Sequence, residues 1–293
     1  AHAVTNLALG IYVLTAHDGY VLTPDGNSVY MWSYSNGSDA FQYPGPALCV
    51  TEGDTVTLTL QNSLPVPTSI NVLGVTGVSF SGRDADGTAT GTPIVGPATP
   101  TASDLASGNL TPSVAPNATG TYRFVAAHAG TFLYESGTSP ELQDQMGMVG
   151  AVIVRPKGHP DYVYDPADTG WDPVKSVPVT TKGVSAAFNP DREFLHLLTE
   201  IDPDLHACFE QARFGRVVKS NPAGDGNFAS LCNPSKAPFT YDMNQYKARY
   251  WMINGRSFPD TVSPNNSQHL PAQPFSSLVH VTPRSANDTA PAV

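Results

Sequence analysis

The sequence feature that most constrains the fold is the stretch from Gly120 to Pro156, where short apolar segments are separated by turn-forming glycines. Apolar and β-branched side chains recur at alternate positions around Val125 and Leu133, and they return from Met146 to Val154. A period of two is typical of strands with one buried face. The stretch therefore predicts two strands, a loop and a third strand.

An upstream stretch, Pro44 to Leu64, predicts partners for these strands. Val56, Leu58 and Leu60 alternate with threonines after a Gly-Asp turn, which is the pattern of a half-buried strand. Further upstream, residues 7–14 predict a first strand and residues 20–35 predict a hairpin. Together these segments are expected to form a small β-sandwich.

The composition favours many short strands over long helices. Only 14% of the 293 residues are charged, while 25 glycines and 27 prolines provide turns. A chain of this length predicts two domains. The net charge of -10 argues against nucleic acid and anionic membrane surfaces as partners, and no apolar run is long enough to span a membrane.

Both stretches resemble the first cupredoxin domain of multicopper oxidases. The first match is Pro44-Gly45-Pro46 with the apolar positions up to Leu64, and the second is Gly130-Thr131-Phe132-Leu133-Tyr134 followed by Gln145-Met146-Gly147-Met148. The two matches occur in the family's order and at its separation. The resemblance implies a cupredoxin-like Greek-key β-sandwich. It also implies the family's copper cofactor and its oxidation of a substrate coupled to oxygen reduction.

The chain departs from the family at each copper-ligand position of this domain. The family holds copper through a His-x-His-Gly motif after the first stretch and a Tyr-His-Ser-His motif in the second. Here Asn71 and Leu73 stand at the first pair of positions, and Glu135 and Gly137 stand at the second. Copper prefers imidazole and thiolate ligands, and Leu and Gly have no side-chain donor. We therefore expect this chain alone to hold no complete copper site and to be inactive as an oxidase.

A mononuclear blue-copper site is not expected either. Such a site needs a Cys-His pair and an axial Met. Ser136 stands where the cysteine belongs, so Met148 is interpreted as core packing. Glu135 has two interpretations, a hydrogen-bonded rim residue, which we favour, and a metal ligand, because a carboxylate in an apolar strand needs a partner.

The second half resembles the middle cupredoxin domain of three-domain bacterial multicopper oxidases. The resemblance lies in Glu200-Ile201-Asp202-Pro203 and in the strand and turn over residues 250–261. Asp202 as an N-cap and Pro203 at the first helical position predict a short helix over 203–212. Residues 277–281 alternate like a strand that begins a third sandwich. Because few residues follow, the family's third domain is expected to be absent from this chain.

The predicted organisation is all-β, with two cupredoxin-like Greek-key sandwiches. Residues 1–156 form domain 1, residues 157–190 a linker rich in Pro, Asp and Gly, and residues 191–283 domain 2. Residues 284–293 begin a truncated third domain. Within domain 1, residues 75–118 are rich in small and turn-forming residues and predict a long surface excursion.

Three cysteines and eight histidines offer few further sites. Cys208 and Cys232 bracket a glycine-rich loop and are the candidate disulfide, while Cys49 is interpreted as a small buried hydrophobe. No two histidines have the spacing of a metal pair. Asp84 and Asp86 resemble the start of a calcium loop but lack its later ligands, so a solvated turn is favoured. The initial Ala-His-Ala suits a mature end left by signal cleavage, which predicts a secreted, extracellular or periplasmic protein.

Two functional hypotheses follow. The first is the N-terminal two-thirds of a secreted, laccase-like multicopper oxidase whose working copper sites lie in the absent domain or in a partner chain. The second is a copper-free structural or binding protein built on cupredoxin sandwiches, which assembles through exposed strand edges. Its partners would be further copies of itself or a chain that supplies the absent domain.

Overall fold

The computed structural model describes residues 10–83, 89–90, 108–158, 193–214, 232–233 and 240–279. In chain order the strands are β1 (Ile11–Leu22), β2 (Ser28–Asn36), β3 (Leu48–Thr51), β4 (Thr55–Asn62), β5 (Asn71–Val72), β6 (Ser79–Arg83), β7 (Ala89–Thr90), β8 (Thr119–Val125), β9 (Gly130–Glu135), β10 (Val149–Arg155), β11 (Leu198–Ile201), β12 (Cys232–Asn233), β13 (Thr240–Tyr241) and β14 (Tyr250–Ile253). The helices are α1 (Pro140–Gln143) and α2 (Pro203–Phe214), with 3-10 helices at Met243–Gln245 and Asp260–Val262. The prediction of an all-β, cupredoxin-like fold is confirmed.

Two sheets pack face to face in the first sandwich. The six-stranded sheet has the order β2-β1-β4-β8-β6-β7, and the four-stranded sheet has the order β3-β10-β9-β5. Each contains one parallel pair, β1 with β4 and β10 with β3, among antiparallel neighbours. Strands that are distant in sequence are therefore neighbours in space, as in Greek-key sandwiches.

The predicted alternation along β4 places its apolar side chains in the core. Val56, Leu58 and Leu60 are almost fully buried, and the threonines between them face the other way. Val152 and Val154 of β10 are buried in the same core cluster. Burying side chains of this size stabilises the fold by about 1.5–3 kcal/mol each.

β1 is one continuous strand, whereas the sequence predicted a strand ending near residue 14 and a separate hairpin from residue 20. Its first half pairs with β4 from Ile11 to Ala16, and most of its length pairs with β2 from Leu14 to Leu22. Because the two ladders overlap, the backbone groups in the polar middle of the strand have hydrogen-bond partners, and the strand continues without interruption.

β2 is buried on both faces, which is unusual for a strand at the end of a sheet order. Residues 29–35 are all buried. The cause is the second half of the chain. α2 packs against β2, with the Phe209 ring edge-on to Trp32. The ribbon of β11 and β14 contributes Ile201 and Met252 to a second apolar cluster with Met31. The two halves of the chain therefore share a core.

α2 begins as predicted and runs two residues further, to Phe214. The Asp202 carboxylate accepts the backbone N–H of Asp204 at 3.0 Å, which satisfies one of the free donors of the first turn. The predicted strand over 277–281 is absent from Ser277 to Val279, and its last two residues lie outside the described part of the chain.

The predicted surface excursion over residues 75–118 is partly wrong. Ser79–Arg83 forms β6 and pairs with β8, because Phe80 is buried in the core. Residues 111–114 are buried as well. Residues 84–88, which include Asp84 and Asp86, and residues 91–107 lie outside the described residues. Most of the predicted linker and all of residues 284–293 lie outside them too.

Candidate functional site at the ends of β5 and β9

The structure brings together three of the four positions that the sequence match assigns to the family's copper ligands. Asn71 of β5 lies directly opposite Glu135 of β9, and Val72 lies opposite Tyr134. Val72 and Tyr134 point into the core, so Asn71, Leu73 and Glu135 share the outer face of the four-stranded sheet. Leu73 is 39% exposed on this face.

The fourth position, Gly137, is closed off from any side chain. Its backbone N–H donates to Ser69 Oγ at 2.9 Å. A Cβ atom at Gly137 would lie 2.3 Å from Thr111 Oγ1 and 3.2 Å from Thr111 Cβ. The first distance is too short for atoms that do not share a bond, and the second is a tight contact. Thr111 therefore leaves no room for a side chain at position 137.

Ser69 is the centre of a buried hydrogen-bond network. The hydroxyls of Thr111 and Thr138 both lie 2.9 Å from Ser69 Oγ, in addition to the N–H of Gly137. A serine hydroxyl has one donor and two acceptor sites. Three partners therefore use its full capacity and leave no lone pair for a metal ion.

Gln143 of α1 is the second centre of the same network. Its Oε1 accepts the hydroxyls of Thr68 and Ser136, each at 2.7 Å, and its Nε2 donates to the carbonyl of Pro67 at 2.8 Å. We call the side chains that meet here the hydroxyl–amide network; its members are Thr68, Ser69, Thr111, Ser136, Thr138 and Gln143. All six are buried.

Two carboxyl groups border this network, and burial raises the pKa of both. The pKa of Glu135 is raised by burial, and a hydrogen bond from the Asn71 side chain opposes that rise. Burial raises the pKa of Asp144 to about 8, and the nearby charge of Glu135 raises it further. The Ser136 N–H, which donates to Asp144 Oδ1 at 3.0 Å, acts in the opposite direction.

The residues at this place do not fit copper. The donors are hydroxyls, amides and carboxyls, whereas copper prefers imidazole and thiolate. Within the part of the chain that the structure describes, no three His, Cys, Asp or Glu side chains are grouped so that they could hold a metal ion. Met148, the candidate axial ligand of a blue-copper site, is fully buried in the sandwich core, as its interpretation as packing requires.

The cysteines are arranged in agreement with the sequence. Cys49 is buried with a free thiol. Cys208 on α2 is disulfide-bonded. The side chain of Cys232 lies outside the described residues, so its pairing with Cys208 stays a prediction.

The described histidines lie apart from this site. His128 is exposed, and so is His196, which lines a cavity of about 290 Å³ between the four-stranded sheet and residues 193–197. His206 is fully buried on α2, with Nδ1 2.6 Å from the carbonyl of Tyr30. Burial lowers its pKa to about 4. The sequence assigned His206 no role, because the fourth position of a short, weakly amphipathic helix carries no signal of burial.

The packed sheets and their strand order define a cupredoxin-like protein. A sequence model of a family described as multicopper oxidase matches residues 20–99 and 98–159, so this part of the chain is similar to a multicopper oxidase domain.

Individual proteins show the same similarity. Laccase-1 of Emericella nidulans is 33% identical over 135 residues, which is 46% of this chain and 18% of the laccase. Copper resistance protein A of Pseudomonas syringae pv. tomato is 26% identical over 219 residues, covering 69% of this chain and 29% of that protein. This chain thus spans less than a third of the length of these curated relatives. Among solved structures, the copper nitrite reductase of Nitrosomonas europaea is similar at 20% identity and a TM-score of 0.47. The superposition covers 91% of this chain and 61% of the nitrite reductase chain.

Proposed function

We propose that this chain provides cupredoxin scaffold to a secreted multicopper-oxidase-like protein and that its first sandwich binds no copper by itself. One observation carries the proposal: three of the four positions assigned to the family's copper ligands share one face, where Asn71 lies opposite Glu135, and Thr111 excludes a side chain at the fourth, Gly137. Oxidation of a substrate coupled to oxygen reduction would then need copper held by another domain or a partner chain.

A second candidate function is a copper-free binding protein. It is favoured by the apolar side chains around the β11–β14 ribbon. Leu198, Trp251 and Phe258 are 72%, 69% and 78% exposed. Large apolar side chains exposed near one another are typical of a surface that contacts another protein. On this proposal the sandwich is a carrier for that surface.

An oxidising compartment is part of the proposal. The disulfide at Cys208 supports it, because disulfides persist in secreted proteins and are rare in the cytosol. The low charged fraction and the absence of basic character agree with a secreted scaffold that does not bind nucleic acid. Among the described residues, no helix has the length and apolar character of a membrane-spanning helix.

Copper analysis of the purified chain tests the proposal. The protein is incubated with excess Cu(II), freed of unbound metal by gel filtration, and measured by elemental analysis beside a Glu135→Gln variant. We expect no stoichiometric copper in either protein. Stoichiometric copper in the wild type that is lost in Glu135→Gln would overturn the proposal, because it would show that Glu135 is a ligand.

Oxygen uptake by the protein isolated from its natural source separates the two candidates. Oxygen consumption with a one-electron donor, together with bound copper in that material, would support the oxidase scaffold. A copper-free natural protein without oxygen consumption would support the binding protein.

A further inference from the structure

The segment Asn109–Val114 is attached to the rest of the first sandwich from two sides. On one side, Thr68 and Val114 exchange backbone hydrogen bonds of 3.1 and 2.7 Å. On the other side, Leu110 N–H donates to the carbonyl of Gly137 at 2.6 Å. Tyr122 of β8 adds a third attachment, because its hydroxyl donates to the carbonyl of Pro112 at 2.7 Å.

This segment is buried although it connects two parts of the same sheet. Within it, Thr111, Ser113 and Val114 are 6%, 0% and 0% exposed, and only Leu110 projects outward, at 49% exposure. Irregular chain usually runs over the surface, because buried backbone must find hydrogen-bond partners. Here the loops at residues 68 and 137 supply those partners.

We infer that the Asn109–Val114 segment is a plug that has replaced copper as the connection between the loops after β4 and β9. The inference rests on the proposed absence of copper from this sandwich. In the family, histidines from these two loops hold copper. In this chain, the Ser69 hydroxyl joins the same two loops to the plug through Thr111, Gly137 and Thr138.

Because of the plug, histidines at the four assigned ligand positions are not sufficient to restore a copper site. A histidine at Gly137 would need the space that Thr111 Oγ1 occupies, 2.3 Å from the position of its Cβ. Thr111 cannot simply rotate away, because its hydroxyl is bound to Ser69 and its neighbour Leu110 is bound to Gly137. A variant with histidine at Asn71, Leu73, Glu135 and Gly137 would therefore displace the plug, because the side chain at position 137 would collide with Thr111.

A pair of serine variants tests the role of Ser69 with a matched control. Ser69→Ala removes a buried hydroxyl with three partners, and thermal unfolding should show a Tm lower by about 5 °C. Ser113→Ala removes an equally buried hydroxyl for which no hydrogen-bond partner is found among the described residues, and its Tm should stay the same or rise. Equal Tm values for the two variants would overturn the inference. If Ser69→Ala does not fold, Thr138→Val, which removes one of the three bonds, replaces it.

A double-mutant cycle tests the contact between the plug and Gly137. Gly137→Ala and Thr111→Gly should each lower Tm, the first through the clash and the second through the lost hydrogen bond. The double variant should be no less stable than Thr111→Gly, because the clash then has no partner. Additive losses would overturn the plug and leave the copper analysis unaffected. Copper bound by the wild type would instead overturn the proposed function. The double-mutant cycle would still measure the contact between Thr111 and Gly137.

Discussion

Asn71 and Glu135 face each other across β5 and β9, and the polar side chain of Asn71 opposes the rise that burial causes in the pKa of Glu135. These are two of the positions that the sequence match assigns to the family's copper-binding histidines. A carboxyl in an apolar strand needs a polar partner, and the position of Asn71 opposite Glu135 provides one. The interpretation of Glu135 as a rim residue stays a prediction. The same pair also sets the electrostatics of its neighbour Asp144, because the charge of Glu135 raises the pKa of Asp144.

Asp144→Asn should make the protein more stable at alkaline pH. Burial first, and then the charge of Glu135, raises the pKa of Asp144 from 3.8 to about 8 in the folded state. A raised pKa stabilises the fold below the unfolded value and loses that stabilisation as the pH rises through the folded value. Wild-type stability should therefore fall between pH 5 and 8, by about 2 kcal/mol after allowance for solvent screening. Urea denaturation at both pH values should show no such loss in the variant.

The Asn side chain keeps the acceptor for the Ser136 N–H, so the variant isolates the charge. Glu141→Gln is the control, because Glu141 is exposed in the first turn of α1 and contributes less to the pKa of Asp144 than Glu135 does. It should change the pH profile little. A wild-type profile that is flat from pH 5 to 8 would contradict the protonated state of Asp144.

His206→Asn should remove an acid sensitivity at the contact between the two halves of the chain. Burial lowers the pKa of His206 to about 4, from 6.5, and the hydrogen bond with the carbonyl of Tyr30 only partly opposes this. The charge of Asp202, which caps α2, also raises the pKa of His206. A lowered pKa of a base leaves full stability above pH 6.5 and removes it as the pH falls towards 4. The loss should be about 3 kcal/mol.

Asparagine can still donate to the Tyr30 carbonyl but cannot titrate in this range, so urea denaturation from pH 7 to 4 should show a shallower decline. His128→Asn, at an exposed position, provides the control and should follow the wild-type profile. Parallel declines in wild type and His206→Asn would show that the acid sensitivity comes from other groups.

The fold was largely predictable because its signals are local. Val56, Leu58 and Leu60 alternate in the sequence and lie buried in β4, and Asp202 followed by Pro203 starts a helix as their side chains require. The missed strand β6 has a different origin. Its position depends on pairing with β8, about forty residues away, and a five-residue segment is too short for its sequence pattern to predict that partner.

The site was predictable only in its outline. The matched motifs assigned Asn71 and Glu135 to one site, and the pairing of β5 with β9 places them opposite each other. The hydroxyl–amide network was not predictable, because the Ser and Thr residues that form it are the same types that mark exposed loops. Thr111 was assigned to a surface excursion for that reason. Its burial is decided by Ser69 and Gly137, which lie far from it in sequence.

Mass spectrometry should find a Cys208–Cys232 disulfide and a single free thiol. Without reduction, alkylation should label Cys49 only after unfolding, because its side chain is buried. The Cys208→Ser, Cys232→Ser double variant should lose about 3 kcal/mol of stability, the value expected for a loop of this length. Three free thiols, or a disulfide that includes Cys49, would contradict the pairing.

Phe209→Ala should weaken the packing between the two halves of the chain and lower the stability of the protein more than Phe214→Ala does. The Phe209 ring packs edge-on against Trp32, with centroids 5.6 Å apart and an interplanar angle of 76°, and it is only 6% exposed. Its removal leaves a cavity between α2 and β2, so urea denaturation should show a loss of about 3 kcal/mol. Phe214→Ala on the same helix is the matched control. Phe214 is also edge-on to a β2 aromatic, Tyr30, but is 45% exposed, so its loss should be smaller. Equal losses of unfolding free energy in the two variants would mean that the burial of Phe209 does not determine how strongly α2 packs against β2.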